Sequence, residues 1–121
     1  MTVLIRQVRA TELDDVSRQL RDAFTTAREA IESDQPVVLV VDAPDLLGQG
    51  TLADAAVATG FLGLMRALTF EGGRKGWHVN VVAVDRGEDP TDDTIAAASS
   101  VVPLKGQVLN VSVGHIGKIV P

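Results

Sequence analysis

Carboxylates are the principal reactive groups of this chain of 121 residues, which contains no Cys, no Tyr and only two His. The absence of Cys excludes disulfides, Cys-ligated zinc and thiol catalysis. His78 and His115 have no Asp or Glu at ligand spacing, so neither indicates a metal site. Asp42 ends a long apolar run, where α/β proteins often bind ligands, although capping of the following loop is the simpler interpretation.

The other acidic residues are more easily explained by structure than by catalysis. Asp54 lies three residues after Thr51 at the predicted start of a helix, where a carboxylate complements the helix dipole. The loop at 85–93 is acidic but lacks the regular alternation of a calcium-binding loop, so we expect it to be solvated. A loop is predicted at 43–50, and its residues 46–50 lack the Lys and Ser or Thr of a phosphate-binding loop, which predicts a simple turn there.

Composition and charge narrow the classes of function. Hydrophobic residues make up 45% and charged residues 22% of the chain, which predicts one globular domain spanning residues 1–121. The net charge of −5 and the aromatic content of 3% argue against a nucleic-acid-binding protein, since they supply neither a basic surface nor stacking rings. No uninterrupted apolar run is long enough to cross a membrane, so we expect a cytoplasmic protein.

Hydrophobic periodicity predicts four strands separated by three helices. The predicted strands cover 2–6, 36–42, 78–84 and 106–112. The predicted helices cover 11–33, 52–72 and about 91–101, with Thr11–Asp14 and Thr51–Asp54 as capping pairs. The two middle strands are continuous apolar runs, as expected for strands buried on both faces. The alternating order predicts an α/β fold with a parallel sheet whose strands lie in consecutive order.

This strand order has a consequence for the faces of the sheet. Right-handed crossovers between consecutive strands would place every helix on the same face. A parallel sheet needs cover on both faces, and a chain of this length has little else to supply it. One face and one edge are therefore predicted to be bare, which favours a partner or a homo-oligomer.

The second predicted helix is apolar on nearly all sides, so we expect it to be buried on more than one side. One side can pack on the sheet, and small residues along another side would admit a second helix. The first helix has an apolar seam from Leu13 to Ala30, which suits the same role. Alternatively, the first and third helices could bury the second helix wholly within one chain. The predicted oligomer interface consists of Leu13, Leu20, Ala27, Val57, Gly60, Phe61, Gly63, Leu64, Met65 and Leu68.

Two segments carry a resemblance to a known family. Residues 53–71 contain Leu-Gly-Leu-x-Arg-Ala-Leu-x-x-Glu, and residues 75–84 contain Gly-x-x-Val-Asn-x-Val-Ala. They resemble the active-site helix and following strand of the short-chain dehydrogenase/reductase family, and residues 106–114 resemble its last strand. The resemblance covers the C-terminal half of the family's fold and implies a truncated, Rossmann-like α/β structure with a mostly parallel four-stranded sheet.

The sequence departs from the family pattern at the positions that carry out the family's chemistry. Alignment on Gly63 places the family's catalytic Tyr at Asp54 and its Lys at Ala58. The family's Ser falls near Asp42 or Ala43, and its helix Asn falls on Gln19. The glycine-rich dinucleotide loop has no counterpart. Hydride transfer in the family needs the Tyr–Lys pair and a bound nicotinamide, so we predict no catalytic, cofactor-binding or metal-binding residues and no cofactor.

The leading hypothesis is therefore a non-catalytic, oxidoreductase-related subunit, or pseudoenzyme, that acts by association. In the family that it resembles, the active-site helix and the preceding helix form a dimer interface. The partner would be a second copy of the chain or a full-length dehydrogenase. The alternative is a small enzyme or ligand-binding protein that uses the carboxyl edge of the sheet, with Asp42, the loop 43–50, Asp85 and His78.

Overall fold

Parallel strands alternate with helices throughout residues 1–101 and 103–113, which are the residues that the computed structural model describes. The strands are β1 (Val3–Arg6), β2 (Val37–Asp42), β3 (Val79–Val84) and β4 (Val108–Asn110). The helices are α1 (Leu13–Glu32), α2 (Ala43–Leu46), α3 (Leu52–Gly72) and α4 (Asp92–Ser100). The sheet has the order β1-β2-β3-β4 with parallel neighbours throughout, which confirms the predicted α/β fold and strand order. His115, which the sequence analysis considered as a metal ligand, lies outside the described residues.

The centre of the sheet consists of β2 and β3, and all their residues are buried. Successive side chains of a strand point to opposite faces, so each strand needs apolar residues at every position when both faces are covered. Val37, Leu39 and Val41 belong to the core on one face of the sheet, and Val38 and Val40 belong to a second core on the other. The continuous valine-rich runs in the sequence thus correspond to strands covered on both faces.

Helices α1 and α3 pack side by side on the first face. Val57, Phe61 and Met65 of α3 lie on the odd-numbered side chains of β2 and β3 and are almost completely buried. The two helices approach closely at Gly60, where an added Cβ would come within 2.3 Å of Leu20 Cδ2. Part of the small-residue strip in the second helix therefore serves contact within the chain.

Helix α4 lies on the second face, contrary to the prediction that all the helices share one face. Its Ala98 is buried against Val38, Val40, Val82 and Val84. Successive strands are added in one direction across the sheet, so a helix on the opposite face gives the β3–α4–β4 connection the opposite hand to the other two. The expectation of an entirely bare face is wrong, because this short helix covers its centre.

Three local predictions also need correction. The N-cap of α1 is Glu12 rather than Thr11, and its capping box pairs Glu12 with Asp15. The segment predicted as a loop at 43–50 begins with the one-turn helix α2. The last strand is limited to Val108–Asn110. By contrast, α3 spans the predicted residues, and the Thr51 hydroxyl accepts the Asp54 amide as expected.

Helix α3 is also long and apolar enough to cross a membrane, with a mean hydropathy of 1.3 over its best window. Length and composition alone are weak evidence for a membrane span, because core helices of globular proteins have the same properties. In this fold one side of α3 packs on the sheet, and its first turn carries the buried charge of Asp54.

Candidate functional site

Charged and amide side chains converge where β1, β2 and β3 end and where α2 and α3 begin. We call this group the carboxyl-edge cluster. Four of its members are at most 3% exposed, although such groups are rarely buried unless they are paired. The members are Arg6, Gln7, Arg9, Asp42, Asp45, Asp54 and Arg86.

Asp45 on α2 is completely buried. Arg86 Nη2 and Nη1 lie 2.6 and 3.1 Å from its two carboxylate oxygens, which is a bidentate ion pair. Gln7 Nε2 donates a further hydrogen bond of 3.0 Å to Asp45 Oδ2. These hydrogen bonds with Asp45 raise the pKa of the Arg86 guanidinium, outweighing its partial burial. The backbone at Gly50 passes so close that an added Cβ would lie 2.1 Å from Asp45 Oδ1.

Asp42 joins the ends of the three strands. Its Oδ1 accepts hydrogen bonds from Arg6 Nη2 at 2.9 Å and from the Gly87 amide at 3.2 Å. Arg86 Nη1 lies 3.7 Å from Oδ2. The backbone amide of Asp42 donates to Gln7 Oε1 at 2.9 Å, so the side chain of Gln7 links β1 to β2 and α2. Asp42 therefore holds the loop after β3, whereas its side chain makes no capping hydrogen bond to α2, which follows it directly.

Asp54, in the first turn of α3, is a completely buried carboxyl group. Its oxygens accept hydrogen bonds of 2.8 Å from Arg9 Nε and from the Ala10 amide. Desolvation alone would raise the pKa of Asp54, but hydrogen bonds from Ala10, Thr51 and Arg9 together lower it. A carboxyl group held in its charged form in this way is unsuited to donating a proton at neutral pH.

The cluster as a whole is balanced in charge and internally satisfied. Each Asp faces at least one Arg, and among the described residues no buried polar side-chain atom of the cluster lacks a hydrogen bond. A catalytic site usually keeps a reactive group or a donor free to meet the substrate. The ion pairs and hydrogen bonds of this cluster therefore hold the ends of the strands to the starts of the helices.

The sequence located only part of this site. Asp42, Asp54 and the segment 43–50 do meet at the carboxyl edge, and Asp85 follows β3 there, with both of its oxygens 3.1 Å from the Val113 amide. His78 does not belong with them, because it precedes β3 and lies at the opposite end of the strands. Sequence reasoning missed Arg6, Gln7, Arg9, Asp45 and Arg86, which show no periodicity or motif spacing.

The structure separates the predicted interface residues by exposure. Side chains already covered by the chain itself are Ala27, Val57, Phe61, Met65 and Leu68. Leu20, Gly60 and Leu64 are partly exposed along the α1–α3 contact, and Leu13 and Gly63 face solvent. The partly exposed residues and the two that face solvent together provide the surface that a partner could contact.

The lowered pKa of Asp54 predicts acid sensitivity. Because the folded pKa lies below the unfolded value of about 3.9, this group stabilises the fold above that pH and loses the effect as pH falls through the folded pKa. Asp54→Asn should therefore be less stable than the parent chain near neutral pH, and the gap should shrink on acidification. Urea unfolding between about pH 6 and pH 3 measures this. A gap that is constant over this range would contradict the assignment.

Solved structures of short-chain dehydrogenases/reductases have the same fold. A crystal structure of an oxidoreductase of this family from Burkholderia thailandensis superimposes with a TM-score of 0.70 and 18% identity, covering 96% of this chain and 64% of that one. The RhlG/NADP active-site complex from Pseudomonas aeruginosa has a TM-score of 0.63 and 13% identity, with coverages of 93% and 65%. The chain thus spans less than two thirds of either protein. No family model and no curated protein sequence matches it.

Proposed function

We propose that this chain, with its short-chain dehydrogenase/reductase-like fold, is a non-catalytic subunit that acts by association through the outer side of α1 and α3. The similarity to solved structures concerns the fold alone, so the function depends on the residues of this chain. Two features support the proposal: an apolar helix face that the described residues leave uncovered, and a carboxyl edge occupied by ion pairs.

The solvent side of α3 is the observation that carries the proposal. A stripe along the whole helix contains no charged residue, and each of its members is exposed. Leu52 at one end is 88% exposed and Phe70 at the other is 90% exposed. Solvent-facing helix sides normally carry charged residues, so an uncharged stripe of this length is typical of a contact surface. We call it the outer α3 face; it consists of Leu52, Ala56, Thr59, Gly63, Ala67 and Phe70.

Helix α1 extends this surface on one side. Leu13 is 78% exposed and Phe24 is 49% exposed. A mainly apolar groove separates Leu13 from Leu52 and Ala56 at the start of the two helices. Two parallel rows of exposed apolar side chains with a groove between them could receive helices of a partner in ridges-into-grooves packing.

The carboxyl edge supports the non-catalytic part of the proposal. Asp54 and Ala58 stand where the family's Tyr and Lys would be, and Asp54 is engaged by Arg9 and the Ala10 amide. Gln7, Asp42 and Asp45 use their polar atoms on one another and on arginines. These residues therefore have no free group for hydride transfer chemistry.

The partner in this proposal is a second copy or a full-length dehydrogenase, and the setting is the cytoplasm. Either of these partners would place two helices of the same fold against the outer α3 face. The structures with this fold are longer than this chain, as their coverages of 64% and 65% show.

Gly63 provides the test, because a Cβ added there meets nothing within 4 Å. Gly63→Arg should fold, with a small gain in helix propensity, but it places a charge in the middle of the outer α3 face. If that face is desolvated in a complex, association should weaken by roughly 2–5 kcal/mol. Light scattering during size exclusion should then show the parent chain as an oligomer and the variant as a smaller species.

Gly63→Ala is the matched control, since it raises helix propensity by about 0.5–1 kcal/mol while leaving the face small and apolar. It should elute with the parent chain and unfold at a higher temperature. A parent chain that is monomeric both alone and with a full-length dehydrogenase of the same cell would refute the proposal. So would an oligomer that Gly63→Arg leaves unchanged.

A further inference from the structure

The segment between α4 and β4 is attached to the amino end of β3, and we call its residues 103–107 the pre-β4 segment. The Gly106 amide donates to a carbonyl of β3 at 2.9 Å. The side chain of Asn80 adds hydrogen bonds to the Leu104 carbonyl and from the Gln107 amide. Strand β4 has only three residues, so its position depends on this attachment.

His78 lies beside this attachment, one residue before β3. Its carbonyl accepts the Val37 amide at 2.9 Å, so its backbone continues the pairing of β2 with β3. Side chains alternate between the two faces of a strand, which puts the ring on the same face as Asn80 and next to the pre-β4 segment. Its Nε2 is buried and has no hydrogen-bond partner among the described residues. The fold therefore encloses a titratable nitrogen that no hydrogen bond occupies.

The surroundings of the His78 ring favour its neutral form. Burial and the positive charge of Lys105 lower the pKa of His78, and hydrogen bonding with the Leu104 carbonyl offsets them only in part. That carbonyl already receives Asn80 Nδ2, so the ring shares it. A protonated imidazole has two N–H donors to satisfy, whereas the neutral ring has one. Protonation in place would therefore leave a buried donor and a buried charge without adequate partners.

Charged side chains from two other elements lie near His78. Asp34, in the turn after α1, lines the same cavity of about 30 Å³ as His78, but the described residues include no ion pair between the two. Lys75, in the turn before β3, places its ammonium 5.0 Å from the centre of the Trp77 ring, which lines that cavity as well. Lys105 thus remains the charged group with the largest effect on the ring.

We propose that His78 is a proton-sensitive latch between β3 and the pre-β4 segment. The neutral ring stays enclosed, and the segment stays attached. Protonation makes the ring an imidazolium beside Lys105, and it turns out to water, where both of its N–H groups are solvated. The pre-β4 segment then loses its contact with the ring, and β4 separates from β3 more often. The latch involves neither the outer α3 face nor the carboxyl-edge cluster, so it goes beyond the proposed function.

Linkage gives the direction of the pH effect. The enclosed ring has a pKa below the ordinary value of 6.5, and the ring turned out to water has about the ordinary value. The attached state is therefore fully favoured above about pH 6.5 and weakens as the pH falls toward the pKa of the enclosed ring. Uptake of one proton on opening raises the opening equilibrium constant by at most about tenfold per pH unit.

Hydrogen exchange of single amides measures this opening. Protection of the Gly106 amide, corrected for the intrinsic pH dependence of exchange, should fall by up to about tenfold per pH unit between about pH 6.5 and pH 5. The Gln7 amide, which donates to the Val40 carbonyl at 2.8 Å on the other side of β2, should keep its protection. His78→Leu cannot be protonated and should abolish the fall at Gly106. His115→Leu is the matched control and should leave the fall unchanged.

Lys105→Met provides a second test that does not depend on the folding of His78→Leu. Without the positive charge the pKa of His78 should rise toward its ordinary value, which an NMR titration of the ring measures, and the total fall in Gly106 protection should be smaller. The latch would be overturned by a ring that titrates at or above the ordinary value in the parent chain. It would also be overturned by a fall in protection that His78→Leu retains, or by an equal fall at Gln7, which would indicate global unfolding.

Discussion

Arg86→Met should lower the free energy of unfolding by about 3–5 kcal/mol, because it leaves the carboxylate of Asp45 buried with its main partner gone. Asp45 is completely buried, whereas the Arg86 side chain is 31% exposed. The loss of unfolding free energy should therefore depend on which partner is replaced. Asp45→Asn should cost less than Arg86→Met, since the freed guanidinium can turn toward water. Urea unfolding of the two variants at neutral pH measures the difference.

Exposed ion pairs provide the control for this experiment. Arg28 and Glu32 are 3.5 Å apart on α1, with both side chains about two thirds exposed. Arg28→Met should change the stability by less than about 1 kcal/mol. The double variant Arg86→Met with Asp45→Leu should recover part of the loss, because it removes the unpaired charge as well. Equal effects of Arg86→Met and Arg28→Met would show that the carboxyl-edge cluster does not hold the fold together.

Asn80→Ala should cost about 3 kcal/mol or more, through loss of three hydrogen bonds from a buried amide. Asn80 Nδ2 donates to the carbonyls of Ala98 and Leu104, and its Oδ1 accepts the Gln107 amide at 2.9 Å. These bonds tie β3 to the end of α4 and to the segment before β4. The variant should lose amide protection in hydrogen exchange at α4 and at Gln107 before the rest of the sheet opens.

Val82→Ala is the comparison for this variant. Val82 lies on the same face of β3, is completely buried and contributes only apolar contacts to the second core. Its replacement should cost about 1–3 kcal/mol from the cavity, with protection lost evenly. If Asn80→Ala also loses protection evenly, Asn80 contributes to packing and does not act as the link between β3 and α4.

Local patterns determined the elements whose signals lie close together in the sequence. β2 and β3 follow from continuous apolar runs, and α3 follows from Thr51 and a long apolar segment, because strand burial and helix capping are short-range effects. Shorter or overlapping patterns predicted the structure less accurately. The N-cap of α1 is one residue later than predicted, because the overlapping pairs Thr11–Asp14 and Glu12–Asp15 could each form a capping box. Helix α2 is a single turn with no periodicity to detect.

The sequence by itself determined the α/β class and the order and direction of the strands. The tertiary structure alone decided which face α4 covers, because the hand of a crossover depends on packing rather than on local pattern. It also decided the partners of the buried acids. Arg86 reaches Asp45 across 41 positions and Arg9 reaches Asp54 across 45, distances in sequence over which no spacing rule applies. A charge that is buried away from water must be paired, which is why the arginines and the buried acids of the carboxyl edge form ion pairs.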